Sequence, residues 1–383
     1  MGDFSPTLFI KQDTKVRSTE QPDAVRTVQE RRRNGTDYGT AGIRIYRREK
    51  HMPSKIRYSA IVGSLGQTSD RFMRCGYKDP ELDKVEFPDV IASLEELGVL
   101  AGVDLYQAPD GPYSDADTVN EILEKHHLTA SSVLPQVFGD RKWKYGSLTA
   151  ADPQTRKEAL ELCKRNIDFN SKLIGTPSVN LWLGQDGFDY PLQTDYSAQW
   201  GWIVEAVREL ADYNPDVKLT LEGKIREPRN RCLIDTTMTA LLVCEEVGRP
   251  NVGVAIDTGH VFMAQQNVAQ NIEVAARHGR LFMMHSNDNY NTWDDDMITG
   301  SLRLTEFIEM FYALRKFDYD GFISVDIFPY REDSYEATRQ SVLNMKKYDE
   351  TIDKIGFDRL TELIQEGNPN RMTQAVREAV FGK

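Results

Sequence analysis

No run of residues in this chain stays apolar for the roughly 20 positions that cross a bilayer. The opening MGDFSPTLFIKQD lacks the apolar core of a secretory signal, so the expected location is the cytoplasm. Cysteine is sparse. Cys75, Cys163, Cys232 and Cys244 are the four in 383 residues, and they form no CxxC pair. That argues against a disulfide framework and a thiolate zinc site, and leaves reduced, buried thiols. Basic residues number 47 against 59 acidic ones, for a net charge of −12. A surface of that sign repels phosphate backbones, so nucleic acid is a poor partner and a neutral or cation-assisted small molecule a better one. Also missing are a GxGxxG or Walker loop after the first strand, a GxSxG elbow, an HExxH helix and a Cys-His constellation. Dinucleotide binding, serine-type hydrolysis and zincin proteolysis lose their support with them.

What is present is an ordinary globular composition, 40% hydrophobic and 28% charged, sufficient for one large core. Residues 1–51 stand apart, with eleven Lys or Arg against seven Asp or Glu, Arg31 to Arg33 included, and little apolar periodicity. They read as an N-terminal extension, more in keeping with an arm packed on a neighbouring subunit than with a nucleic-acid arm. From Met52 onward, short β-branched runs alternate with amphipathic stretches. The expected strands are Ile56–Val62, Val103–Tyr106, Thr129–Val137, Ser178–Leu183, Lys218–Glu222, Val252–Asp257, Leu281–His285 and Phe322–Ile327. Between them, Val90–Leu100, Asp117–Lys125, Pro153–Leu173, Ala198–Tyr213, Ile234–Val247, Val268–Arg277 and Leu304–Phe317 repeat apolar residues at three and four, as surface helices do.

Eight strand-and-helix units with right-handed crossovers close most simply into a parallel (β/α)8 barrel, an α/β fold spanning residues 52–349. An open doubly wound sheet is the alternative. After the last strand, Tyr335–Ile355, Phe357–Glu366 and Met372–Ala379 read as helices, too many for one unit. Residues 350–383 are therefore expected to form a helical extension. Surplus helices of this kind commonly serve subunit contacts, and a homo-oligomer, dimer or tetramer, is expected.

The chemistry gathers at strand ends. Glu222 in LTLEGK, Asp257 in VGVAIDTGH, His285 in LFMMHS and Asp326 in FISVDIF each close a different predicted strand. In a barrel the carboxyl ends of the strands share one face, so three carboxylates and an imidazole converge there as a cage for a hard divalent cation. Glu222 and Lys224 share a strand face through their spacing of two. Asp257 can bridge to a second, more open cation site completed by His260, Asp294 and Asp296, the last two from the acidic loop after His285. A helix-capping role is the competing reading for Asp326. Trp182, at the end of the fourth strand, offers the flat apolar wall that suits a sugar's C–H face, and Phe72, Trp143 and Phe188 are candidates for the same cleft. His51, His126, His127 and His278 read as structural, His278 at a helix C-terminus that favours an imidazole.

In combination these motifs resemble the xylose isomerase-like TIM-barrel superfamily, above all its rhamnose isomerase branch. LEGKIREP is similar to a Glu-x-Lys-x-x-Glu-Pro motif, IDTGH to an acid-x-x-His motif, MHSND with the later DDD to the seventh-strand segment, SVDIFP to the final ligand strand and LWLGQDG to a tryptophan-bearing fourth strand. The likeness runs from about Lys55 to Glu350. It implies a structural cation on Glu222, Asp257, His285 and Asp326 and a catalytic one on Asp257, His260, Asp294 and Asp296. Mn²⁺ is the expected metal, with Co²⁺, Mg²⁺ or Zn²⁺ as alternatives. The implied reaction is aldose–ketose isomerisation of an open-chain sugar, with Lys224 bonding the carbonyl oxygen and a metal-bound hydroxide, held by Asp294 or Asp296, moving the hydroxyl proton. One departure stands out: LYQAPDGPYSD offers no histidine where such isomerases carry one on an early loop. A ketose 3-epimerase and a metal-dependent lyase of 3-keto-glycosides are the rival enzymes. A catalytically silent sugar-binding protein is the rival from another class, and the net charge speaks against an abasic-site nuclease.

Overall fold

Residues 54–66, 73, 75–78, 86–105, 113–175 and 177–382 are described by the structure, a computed structural model. The extension 1–51, with His51, and the aromatic Phe72 lie outside the described residues, as does the segment 106–112 after the second strand.

Eight parallel strands close into a barrel: β1 Arg57–Ile61, β2 Gly102–Leu105, β3 Thr129–Val133, β4 Ser178–Trp182, β5 Leu219–Glu222, β6 Val252–Asp257, β7 Leu281–Ser286 and β8 Phe322–Val325. Each strand pairs with its sequence neighbours, and β1 pairs with β8 to seal the seam. The helices are α1 Phe87–Glu96, α2 Ala116–Lys125, α3 Pro153–Asn170, α4 Tyr196–Tyr213, α5 Thr237–Val247, α6 Thr258–Met263, α7 Val268–Arg277, α8 Leu304–Lys316, α9 Ser334–Ile355, α10 Phe357–Glu366 and α11 Pro369–Phe381. The fold is thus the (β/α)8 barrel that the alternation implies, with helices beyond the eighth unit. Helix α9 runs unbroken through residues 349 and 350. Among the described residues, no helix is long and apolar enough to cross a membrane.

Alternation along the strands explains how one sequence serves two surfaces. Leu219 and Leu221, Val254 and Ile256, Ile323 and Val325 are buried apolar residues of the main core. Their neighbours, taken back by twos from the ligands, are small or polar at three strands, Thr220 below Glu222, Ala255 and Gly253 below Asp257 and Ser324 below Asp326, with the apolar Met283 below His285 as the exception. The outer column binds the helices to the sheet through apolar burial, while the inner column leaves the site polar.

Helix starts are set by local capping. Asp115, Asp152, Asp195, Thr236, Asn267 and Asp333 each accept a backbone N–H of the first helical turn, which supplies a partner to otherwise orphaned donors. The cap of α9 is Asp333, so that role is not taken by Asp326. Two short elements carry no periodic signal and were not expected: α6, which carries His260, and an antiparallel pairing of Gly187–Phe188 with Arg231–Cys232 over the mouth of the fourth and fifth strands.

Candidate metal centre

Register places the ligands in one layer. Asp257 on β6 lies directly across from His285 on β7, and Trp182 on β4 across from Glu222 on β5. The amide of Asp326 donates to Ser286 O at 3.1 Å, extending the ladder by one residue past β8. The side chains of Glu222, Asp257, His285 and Asp326 each present a ligand atom within 4.8 Å of the others. His285 Nδ1 stands 3.4 Å from Glu222 Oε2 and 3.5 Å from Asp326 Oδ2.

A second group, Asp257, His260 and Asp294, meets the same 4.8 Å limit and shares Asp257 with the first. His260 lies in the first turn of α6, whose N-cap is Asp257; the Asp257 Oδ1 atom accepts the His260 amide at 2.9 Å. One carboxylate thus caps the helix and faces both groups. Asp296 stands outside the second group, with a left-handed backbone at φ 47°.

The donor set fits divalent cations. His285 Nδ1 and His260 Nδ1 are buried without a hydrogen-bond partner while facing carboxylates, a state that costs free energy unless a proton or a metal sits between. Burial alone would lower the His285 pKa, but Glu222 and Asp104 overcome it and hold it well above the ordinary value. His260 is raised in the same way, by Asp257 and Asp294 against the opposing effect of burial. Burial opposes the charge on Glu222 as well, yet the two imidazoles keep its carboxyl well below the usual range. Burial pushes Asp326 up to about 8, His285 restrains it, and Asp257 and Glu222 add to the rise. Burial and the Asp294 charge hold Asp296 well above the ordinary range. Crowded carboxylates sharing too few positive charges are the signature of a site built around a cation.

Lys224 sits at the edge of this cluster, its Nζ 2.6 Å from Glu227 Oε2 and 2.9 Å from Asp294 Oδ2. Burial works against its charge, but Asp294 and Glu227 raise its pKa well above the ordinary value. The same ammonium lies 5.5 Å from the centre of the Trp182 ring. Trp182 is walled by Phe138, edge-on at 4.6 Å. Phe188 lies in the short hairpin, its ring 5.0 Å from that of Tyr196. Trp143, a candidate for the cleft, is instead buried in the core, only 1% exposed. His126 pairs with Glu95 at 2.8 Å, and His278 caps the C-terminus of α7.

Three residues that position the ligands escape a reading by motif. Asp104 on β2 accepts from His285 Nε2 at 3.0 Å and from Ser132 Oγ at 2.6 Å. Asn180 on β4 donates to Glu222 Oε2 at 2.5 Å and is itself held by Thr220 Oγ1. Asn287 donates to both oxygens of Asp257 at 3.2 Å. The signal is present in GVDL and SVNLW, where one polar residue interrupts a buried strand and requires a partner.

The xylose isomerase-like TIM barrel family model matches residues 91–348. A xylose isomerase of Thermus thermophilus is 27% identical over 274 residues, 68% of this chain and 68% of its own length. Among solved structures, an L-ribulose 3-epimerase superposes with a TM-score of 0.61 at 18% identity, covering 81% of this chain and 98% of its own. A D-allulose 3-epimerase from Methylomonas sp., in complex with D-allulose, gives 0.59 at 19% identity over 77% of this chain and 98% of its own. At these identities the two structures speak to the fold alone.

Proposed function

Since this chain belongs to the xylose isomerase-like TIM barrel family, we propose that it is a divalent-metal-dependent aldose–ketose sugar isomerase, moving hydrogen between C1 and C2 of an open-chain sugar. The observation that carries this reading is the pair of ligand groups joined through Asp257, with Lys224 bonded to the Asp294 of the second group. Glu222, Asp257, His285 and Asp326 would hold one cation; Asp257, His260 and Asp294, with Asp296 from the same loop, would hold the other. When bound, such cations supply Lewis-acid stabilisation of charge on the substrate's oxygens.

The protein's own groups do the rest. Lys224, kept charged by Asp294 and Glu227, donates a hydrogen bond to the substrate oxygen on which negative charge develops. Asp294, held well below the usual range by Lys224 and His260 against the cost of burial, accepts the hydroxyl proton. Asp296, held well above it by burial and the Asp294 charge in the cation-free fold, would give up its proton on joining the ligands. The Trp182 face provides an apolar wall for the sugar.

The proposal extends to Mn²⁺ as the resident metal, a homo-oligomer assembled through the helices after β8, a cytoplasmic location, and a division into extension 1–51, barrel 52–349 and helical extension 350–383. A second reading, ketose 3-epimerase, draws on the Methylomonas sp. enzyme, whose name records that activity. Two opposed carboxylates of long reach suit that chemistry, and the short Asp326 at the last ligand position favours isomerisation. The test is a panel of pentoses, hexoses and deoxyhexoses incubated in heavy water with Mn-loaded protein. Ketose formation from an aldose supports the proposal. Deuterium entering C3 of a ketose without aldose conversion replaces it with the epimerase, and aglycone release from a 3-keto-glycoside replaces it with a lyase.

A further inference from the structure

The acidic loop between β7 and α8 must deliver Asp294 inward although its tip is exposed, with Tyr290 at 64% and Trp293 at 45%. A loop of this length keeps a buried carboxylate in place only if its own backbone is fixed. Its base is closed by a short antiparallel bridge, Asp288 N to Met297 O at 3.1 Å and Met297 N to Asp288 O at 2.9 Å. Its far side is docked on α9: Thr299 N donates to Ser341 Oγ at 3.1 Å, and Tyr348 OH donates to Gly300 O at 2.6 Å.

One guanidinium joins the two arms. Arg303, at the start of α8, donates through one terminal nitrogen to Asp288 Oδ1 and Asn289 O and through the other to Asn291 Oδ1. Its guanidinium lies 4.3 Å from the centre of the Phe262 ring, which belongs to α6, the helix of His260. Asp288 is fully buried and also accepts the amides of Asn289 at 3.0 Å and Leu302 at 2.8 Å. From this clasp the chain leads directly to the site: Asn289 Nδ2 donates to Gly259 O at 2.8 Å and to Asp294 Oδ1 at 3.4 Å.

We infer that Arg303 is a positioning residue that clasps the 288–302 loop and thereby sets the Asp257–His260–Asp294 group, while the Glu222–Asp257–His285–Asp326 group does not depend on it. The planar fork of the guanidinium matters, because three acceptors of the 288–291 stretch are met at fixed angles from the opposite arm, which a lysine cannot reproduce. The inference deepens the two-cation reading and rests on it for the metal consequence; the clasp itself requires no cation.

The experiment compares the full-length protein with its Arg303→Lys and Asp288→Asn variants in two measurements. Hydrogen exchange of the cation-free proteins should show amides of 289–297 exchanging about tenfold faster or more in both variants, with the barrel strands unchanged. Mn²⁺ titration should show one binding event intact and one weakened about 10- to 100-fold. Unchanged loop exchange overturns the clasp, as does equal weakening of both binding events. Should the unsubstituted protein bind fewer than two Mn²⁺ ions, the two-cation reading fails, and the clasp is decided by the exchange result alone.

Discussion

His285 on β7 points its Nε2 across the barrel to Asp104 on β2, 3.0 Å away, and so turns Nδ1 toward Glu222 and Asp326. The bond decides which ring nitrogen carries the proton and which is free to ligate, and a carboxylate behind a ligating imidazole also raises its basicity. Asp104 is in turn fixed by Ser132 on β3.

Asp104→Asn should therefore leave the fold intact and weaken Mn²⁺ binding at the group containing His285 by about 10- to 100-fold. Calorimetric titration measures this. Undiminished affinity would show that the imidazole is oriented by other contacts.

Glu222→Gln and Lys224→Met should separate binding from chemistry. Loss of the Glu222 charge removes a ligand, and metal content and turnover should fall together. Lys224 belongs to neither ligand group, so Lys224→Met should retain metal and lower kcat by a factor on the order of 10² to 10³, the loss typical of one preorganised donor. Elemental analysis beside steady-state kinetics reads both. An unchanged kcat in Lys224→Met removes its assigned role.

Cation binding should release protons and strengthen with pH. In the cation-free fold His285 and His260 hold their protons well above the ordinary imidazole range, and Asp326 titrates at about 8. A cation requires all three to give up protons, so its affinity rises with pH and the contribution of Asp326 levels off above about 8. The stability sign agrees. A carboxyl raised on folding contributes stability below its ordinary 3.8 and loses it as pH rises through about 8. The thermal shift produced by Mn²⁺ should thus be larger at alkaline than at mildly acidic pH. A shift independent of pH counts against coupled titration.

Gly259→Ala should damage the second group. A Cβ at this position overlaps Asn287 Oδ1 and comes within 2.7 Å of Asp294 Oδ1, and Asn287 is the residue that holds both oxygens of Asp257. Overpacking of this kind costs about 1–3 kcal/mol. Differential scanning calorimetry should show a lower Tm, and titration a weakened second Mn²⁺. A fully stable variant with both affinities intact would mean that the helix shifts freely.

The barrel and the strand-end groups are legible in the sequence because both follow short-range rules. A period of two marks a strand, a period near 3.6 its covering helix, and an acid that closes an apolar run marks a strand end. Val252–Asp257 and Val268–Arg277 have the same bounds in the sequence pattern and in the fold. Asp104 and Asn180 stay hidden because their roles exist only between strands far apart in the chain, 181 and 42 residues from their partners His285 and Glu222. Helix α6 has six residues, too few for a periodic pattern to emerge. Trp143 misleads because an indole in a loop gives the same local signal whether it faces a cleft or the interior.

All of the proposed metal ligands come from β5 onward, whereas the residues that brace His285 and Glu222 from behind, Asp104, Ser132 and Asn180, come from β2 to β4. The second half of the chain would carry every donor atom and still leave His285 free to rotate and Glu222 untethered. Tight metal capture thus becomes a report that the two halves have met, and a fragment beginning at β5 should bind manganese loosely until the missing half is added back.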